Sequence, residues 1–219
     1  MILYSNGCSY TANMVLEPEQ KYPHLLSKRL NWDLRTAAIA GSCNRRIIRS
    51  TIRDCINLST QDQIFALIQL THLHRTEYAG FRTADNQYKY SYDEAHFEYD
   101  MYEGLKPNDY TGLPKRVKDW AELGFSLHNE DAEFTRLCSE VLGLAAFLRS
   151  KNINYCIFSG PVINLSCNDM IYKELQQDTK VLDFTRFNML GLTGKTEHPD
   201  VDGMQQIADY FINLFDEQA

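Results

Sequence analysis

A serine attacks a carbonyl only where a base takes its proton and N–H groups receive the charge that develops on oxygen. The chain offers these residue types in four short polar breaks. The run Ile2-Leu3-Tyr4-Ser5-Asn6-Gly7-Cys8-Ser9 stops abruptly in small residues, and Gly41-Ser42-Cys43-Asn44 forms a second break. Thr71-His72-Leu73-His74-Arg75 follows an apolar run, and His198-Pro199-Asp200 stands near the C-terminus. Ser9 is the candidate nucleophile and His198 the candidate base. Each also has a plain structural alternative: Ser9 or Thr11 satisfies free N–H groups where the chain turns, and His198-Pro199 simply opens the last helix. His72 and His74, spaced i, i+2, lack an acidic or cysteine partner at metal-site spacing and are read as loop residues, so no metal is expected. His24, His96 and His128 carry no motif.

The elements that must position these residues alternate. A strand from Ile2 ends in Asn6-Gly7, and Tyr22 to Leu30 reads as a helix with Pro23 near its start. Asp33 to Ala40 is a second strand. In the helix expected over Asn44 to Leu58, Ile48, Ile52, Cys55 and Ile56 share one face, and Arg45, Arg49 and Arg53 another. Ile64 to Leu70 is continuous and apolar, as a strand buried on both faces requires. Asn129, followed by Glu130, Asp131 and Glu133, starts a long helix whose apolar residues recur from Phe134 to Leu148. Ile153 to Phe158 is a fourth strand, Asp169 to Gln177 a short helix, and Val181 to Phe184 a fifth strand. Asp200 caps a final helix from about Val201 to Phe215.

Strands separated by helices imply a parallel, doubly wound sheet. The expectation is a single three-layer α/β domain over residues 1–219, with five parallel strands in flavodoxin-like order 2-1-3-4-5. All four polar breaks then reach the carboxyl edge, where such folds place ligands. Residues 78–127 interrupt the alternation with seven tyrosines (Tyr78, Tyr88, Tyr90, Tyr92, Tyr99, Tyr102 and Tyr110) among charged residues. This insertion reads equally as a lid or recognition surface and as a local aromatic mini-core.

Bulk properties exclude several functions. At 219 residues with 44% hydrophobic content, the chain supports one sizeable core, and no apolar run approaches the ~20 residues that span a bilayer. Met1 leads straight into the first strand without a secretory leader pattern, so a cytoplasmic location, or a mature form that has lost its leader, and no membrane partner are expected. A net charge of -7 opposes nucleic-acid binding. The six cysteines are scattered singly and read as reduced thiols. Arg45, Arg46, Arg49 and Arg53 allow an anion-binding reading, against the plainer one of a solvated helix face.

Asn6-Gly7-Cys8-Ser9-Tyr10-Thr11 after the first strand resembles the first sequence block of the SGNH hydrolases, also called the GDSL family. Ala40-Gly41-Ser42-Cys43-Asn44 is similar to the second block, and His198-Pro199-Asp200-Val201-Asp202-Gly203-Met204 to the last. The resemblance covers most of the chain apart from the insertion. It implies Ser9 as nucleophile, the N–H groups of Ser9 and Gly41 as oxyanion donors, and His198 as general base. The implied reaction is hydrolysis or transfer of an acyl group from a small-molecule or glycan ester, with no cofactor.

Two positions depart from the family pattern. Where the third block supplies an oxyanion asparagine, this chain has Gln69-Leu70-Thr71-His72, so Thr71 or Asn44 would have to donate instead. Where an aspartate precedes the histidine by three residues stands Lys195, leaving Glu197, Asp183 or a backbone carbonyl to orient the imidazole, or a serine–histidine dyad. These departures sustain an alternative: a catalytically weakened relative that binds a glycan or protein through its insertion.

Overall fold

The structure is a computed structural model that describes residues 1–58, 63–73, 75, 91–93, 96–98, 119, 123, 129–161, 163, 170–184, 188–193 and 198–218. Its strands are β1 (Ile2–Asn6), β2 (Asp33–Thr36), β3 (Ile64–Leu70), β4 (Ser91–Asp93), β5 (His96–Glu98) and β6 (Asn154–Ser159). Its helices are α1 (Ser9–Ala12), α2 (Tyr22–Leu30), α3 (Asn44–Leu58), α4 (Glu130–Ser150), α5 (Met170–Leu175), α6 (Met189–Thr193) and α7 (Val201–Gln218), with a 3₁₀ turn at Pro18–Gln20. β2, β1, β3 and β6 lie side by side in that order, all parallel. β4 and β5 form a separate antiparallel pair inside the expected insertion, most of which lies outside the described residues.

Strand alternation assigns the two helical layers. Successive side chains of β1 point to opposite faces of the sheet. Tyr4 and Asn6 face α3: the Tyr4 hydroxyl donates to Asp54 (3.0 Å), and Asn6 Nδ2 donates to the Ile47 carbonyl (3.0 Å). Leu3, on the other face, is in register with Phe65 of β3, whose ring meets Phe215 of α7 at 4.5 Å. α2 packs on α7, and α3 on α4, which completes the three layers. All five residues of β1 are buried, because the strand is central and covered on both faces.

Among the described residues the sheet has four strands where five were expected. Val181 meets β6 as a single parallel bridge, made by Ile157 N–H to the Lys180 carbonyl (2.9 Å) and Leu182 N–H to the Ile157 carbonyl (2.8 Å). The ladder stops there. The next bridge to β6 is made opposite Ser159 by Asn188, and the Asp183 side chain accepts from the Tyr172 hydroxyl of α5 (2.7 Å).

Other boundaries shift slightly. β2 ends at Thr36 rather than Ala40, β6 runs from Asn154, and α7 extends to Gln218. Within α3 the inward stripe is Ile47, Ile48, Thr51 and Cys55, whereas Ile56 is 51% exposed, one helical step past the buried face. Asn129 caps α4 as expected, accepting from Ala132 N–H (3.0 Å). Among the described residues no helix is long and apolar enough to cross a membrane.

Candidate active site

Ser9 is placed by the way β1 ends. The chain leaves the strand at Asn6, turns at Gly7 and begins α1 at Ser9, so the serine stands at the carboxyl edge. Gly7 has no room for a side chain: a Cβ would sit 2.5 Å from Thr11 Oγ1 and 2.6 Å from Gln69 Oε1. Gln69, fully buried at the end of β3, organises this turn. Its Oε1 accepts from Cys8 N–H (3.0 Å) and from the Thr11 hydroxyl (3.1 Å), and its Nε2 donates to the Leu70 carbonyl. Thr11 has one proton, given to Gln69, so the 2.8 Å contact between Thr11 and Tyr22 is a donation from the Tyr22 phenol. Gly160, just after β6, yields to the same carboxamide, since its Cβ would lie 2.5 Å from Gln69 Nε2. Sequence reading passed over Gln69 as part of an absent motif; the available signal was a polar residue inside the run Ile64 to Leu70.

His198 arrives from the far end of the chain. Its Nε2 lies 2.7 Å from Ser9 Oγ, across 189 sequence positions. For Nε2 to accept the serine proton the ring must carry its own proton on Nδ1. Two contacts hold this approach. Asn13 Nδ2 donates to the Pro199 carbonyl (2.8 Å), and the Tyr10 ring stacks on the His198 imidazole at 4.9 Å between centroids and 25° between planes. The Tyr10 hydroxyl in turn lies 3.2 Å from His72 Nε2. Burial pushes the Tyr10 phenol above its ordinary pKa, which keeps it neutral. Asp200 accepts from Gly203 N–H (2.9 Å) and caps α7, so the residues after His198 are fixed by the helix they start. An open cleft of about 390 Å³ lies over Ser9 and His198, walled by Met14, Val15, Leu16 and Pro199.

The turn that holds Gly41 is brought toward the end of β1 by backbone pairing that continues past the strands. Ala37 N–H donates to the Ser5 carbonyl (2.9 Å) and Ile39 N–H to the Gly7 carbonyl (3.2 Å), which lays the 39–42 turn along the Ser9 turn. Gly41 sits at φ 86°, where glycine is favoured. Among the described residues neither Ser9 N–H nor Gly41 N–H has an acceptor. Asn44 and Thr71 pair with each other: Asn44 Nδ2 donates to the Thr71 carbonyl (3.0 Å), and Thr71 N–H donates to Asn44 Oδ1 (2.7 Å). The Thr71 hydroxyl accepts from Arg75 (3.0 Å). The Asn44 side chain thus joins α3 to the backbone just past β3 at the sheet edge, while the Thr71 side chain is held by Arg75.

No protein-family model and no curated protein matches the sequence. Solved structures do match over nearly the whole chain. The psychrotrophic esterase EstA from Pseudoalteromonas sp., in a structure inhibited by monoethylphosphonate, is 11% identical with a TM-score of 0.53, covering 99% of this chain and 97% of its own. TesA is 14% identical with a TM-score of 0.51, covering 95% and 94%. A G-D-S-L family lipolytic protein from Veillonella parvula is 10% identical with a TM-score of 0.51, covering 98% of each chain. The fold is that of the SGNH hydrolases.

Within this SGNH fold the remaining expected residues sort by place. Asp183 accepts from Tyr172, and Glu197 and Lys195 lie outside the described residues, as does His74. The arginines of α3 have local partners: Arg45 meets Glu140 (3.4 Å), Arg53 meets Asp54 (2.9 Å), and buried Arg46 donates to Ser42 Oγ (3.0 Å) and the Ala37 carbonyl (3.3 Å). Cys8, Cys43, Cys55, Cys138 and Cys156 are buried free thiols, and Cys167 lies outside the described residues. Among the described residues no three His, Cys, Asp or Glu side chains are grouped to hold a metal.

Proposed function

We propose that this chain is a serine ester hydrolase in which Ser9 is the nucleophile and His198 the general base. The observation that carries the proposal is the 2.7 Å contact between Ser9 Oγ and His198 Nε2 at the floor of an open cleft. His198 Nε2 takes the Ser9 proton as Oγ attacks the ester carbonyl. The oxygen that becomes negative is received by the N–H groups of Ser9 and Gly41. The tetrahedral intermediate collapses, the imidazolium gives its proton to the departing alkoxide, and an acyl-serine remains. Water then gives a proton to His198 and attacks the acyl carbon, and as the acyl–oxygen bond breaks the imidazolium returns that proton to Ser9 Oγ and the acid is released.

Substrate class follows from the walls. Met14 is 80% exposed and Val15 91%, and both border the cleft. Apolar side chains left in water beside a polar pair favour an ester with an apolar acyl part, whose burial against them is stabilising. The expected insertion over 78–127 is proposed as the recognition element for the alcohol part, including a glycan. A phosphonate inhibitor on the fold neighbour EstA supports the choice of test. A fluorophosphonate is expected to label Ser9 and p-nitrophenyl acetate to be hydrolysed, and Ser9→Ala is expected to abolish both. A folded protein that shows neither reaction refutes the proposal.

A further inference from the structure

We propose that Tyr10 is a positioning residue for His198, holding the imidazole in line with Ser9 Oγ by stacking on its face, and that His72 fixes Tyr10 in turn. The inference rests on the Ser9–His198 reading above. His198 is exposed and sits on a loop before α7, so solvent leaves its ring many rotamers unless something packs against it. Tyr10 packs against it. It is 6% exposed, belongs to the same turn as the nucleophile, and presents its ring at 4.9 Å and 25° to the imidazole. A single helical turn therefore carries both the attacking oxygen and the surface that aligns its base.

The phenol end explains why the ring is tyrosine. Its hydroxyl is 3.2 Å from His72 Nε2, in the loop after β3, so Tyr10 is anchored at both ends between two sheet-edge loops. The stack has a chemical consequence as well. When His198 becomes an imidazolium on taking the serine proton, the electron-rich face of Tyr10 attracts the new cation more than it attracted the neutral ring.

The test compares Tyr10→Leu, which removes the aromatic face, with Tyr10→Phe, which keeps it, and with His72→Ala. Each is assayed for kcat and KM on p-nitrophenyl acetate, for the rate of Ser9 labelling by a fluorophosphonate, for thermal unfolding, and for the His198 Cε1–H proton resonance. Tyr10→Leu is expected to lower kcat and the labelling rate about tenfold with KM within twofold. Tyr10→Phe is expected to retain at least a third of kcat, and His72→Ala to match it, with the Tyr10→Phe/His72→Ala pair no worse than either alone. The His198 resonance, shielded by the Tyr10 ring, is expected to move downfield in Tyr10→Leu and to stay in Tyr10→Phe. A folded Tyr10→Leu protein with wild-type kcat overturns the positioning role. If Tyr10→Leu does not fold, an unshielded His198 resonance in the wild type overturns it as well. A wild-type protein that neither hydrolyses nor labels overturns the Ser9–His198 reading instead, and the resonance then still decides whether Tyr10 holds the ring.

Discussion

Gln69→Leu removes the carboxamide that shapes the Ser9 turn while nearly conserving volume. In the wild type, Gln69 is fully buried and accepts from Cys8 N–H at 3.0 Å and the Thr11 hydroxyl at 3.1 Å. Leucine accepts from neither. The Cys8 N–H belongs to a fully buried residue, and leaving it unpaired costs about 1–3 kcal/mol. Thr11 can redirect its proton toward Tyr22, so its share is nearer the ~0.5–1.5 kcal/mol of one net hydrogen bond. The sum is about 1.5–4.5 kcal/mol, a large part of the ~5–15 kcal/mol that stabilises a typical domain. For a chain of this size that lowers the unfolding midpoint by roughly 5–15 °C. Circular dichroism on heating measures it, and urea titration is expected to show a lower midpoint with an unchanged slope. A Gln69→Leu protein within about 0.5 kcal/mol of wild type would refute the view that this carboxamide holds the turn.

Other perturbations follow from the same contacts. Gly7→Ala forces a Cβ to within 2.5 Å of Thr11 Oγ1 and is expected to cost about 1–3 kcal/mol in urea denaturation, whereas Gly143→Ala, exposed within α4 with nothing within 4 Å of the new carbon, is expected to add about 1 kcal/mol. The opposite signs are the prediction, and equal effects would contradict it. Burial pushes the Cys55 thiol up to about 12, so iodoacetamide at pH 8 is expected to spare it in the native protein and modify it on unfolding, as peptide mapping would reveal. Burial lowers the His24 pKa, so the unfolded chain binds the proton more readily than the folded one. Stability from this group is present above the unfolded value of about 6.5 and declines as pH falls through it, and His24→Gln is expected to flatten that part of the stability profile.

Much of the frame was legible in one dimension because it is decided locally. The apolar run Ile2 to Asn6, the pattern of Asn44 to Leu58, and the Asn129 cap with its acidic first turn each contain their own signal, and each element forms where expected. That β2, β1, β3 and β6 pair in parallel also followed from alternation, since parallel neighbours need helical crossovers. Periodicity reports which face of an element is buried and says nothing of what it meets. That is why the fifth strand was not foreseen correctly, because Val181 and Asn188 each meet β6 in an isolated bridge, and nothing in Val181 to Phe184 shows which residues will pair. It is also why Gln69 and Tyr10 went unnoticed. Their partners, Cys8 and Thr11 for one and His198 and His72 for the other, lie 58 to 188 positions away, or, in the reverse direction, on a turn that only becomes a neighbour when β1 and β3 pair. Residue type placed a serine, a glycine and a histidine at the ends of elements. Only the packing of α7 against α2, with Pro199 tied to Asn13, decided that the histidine reaches the serine.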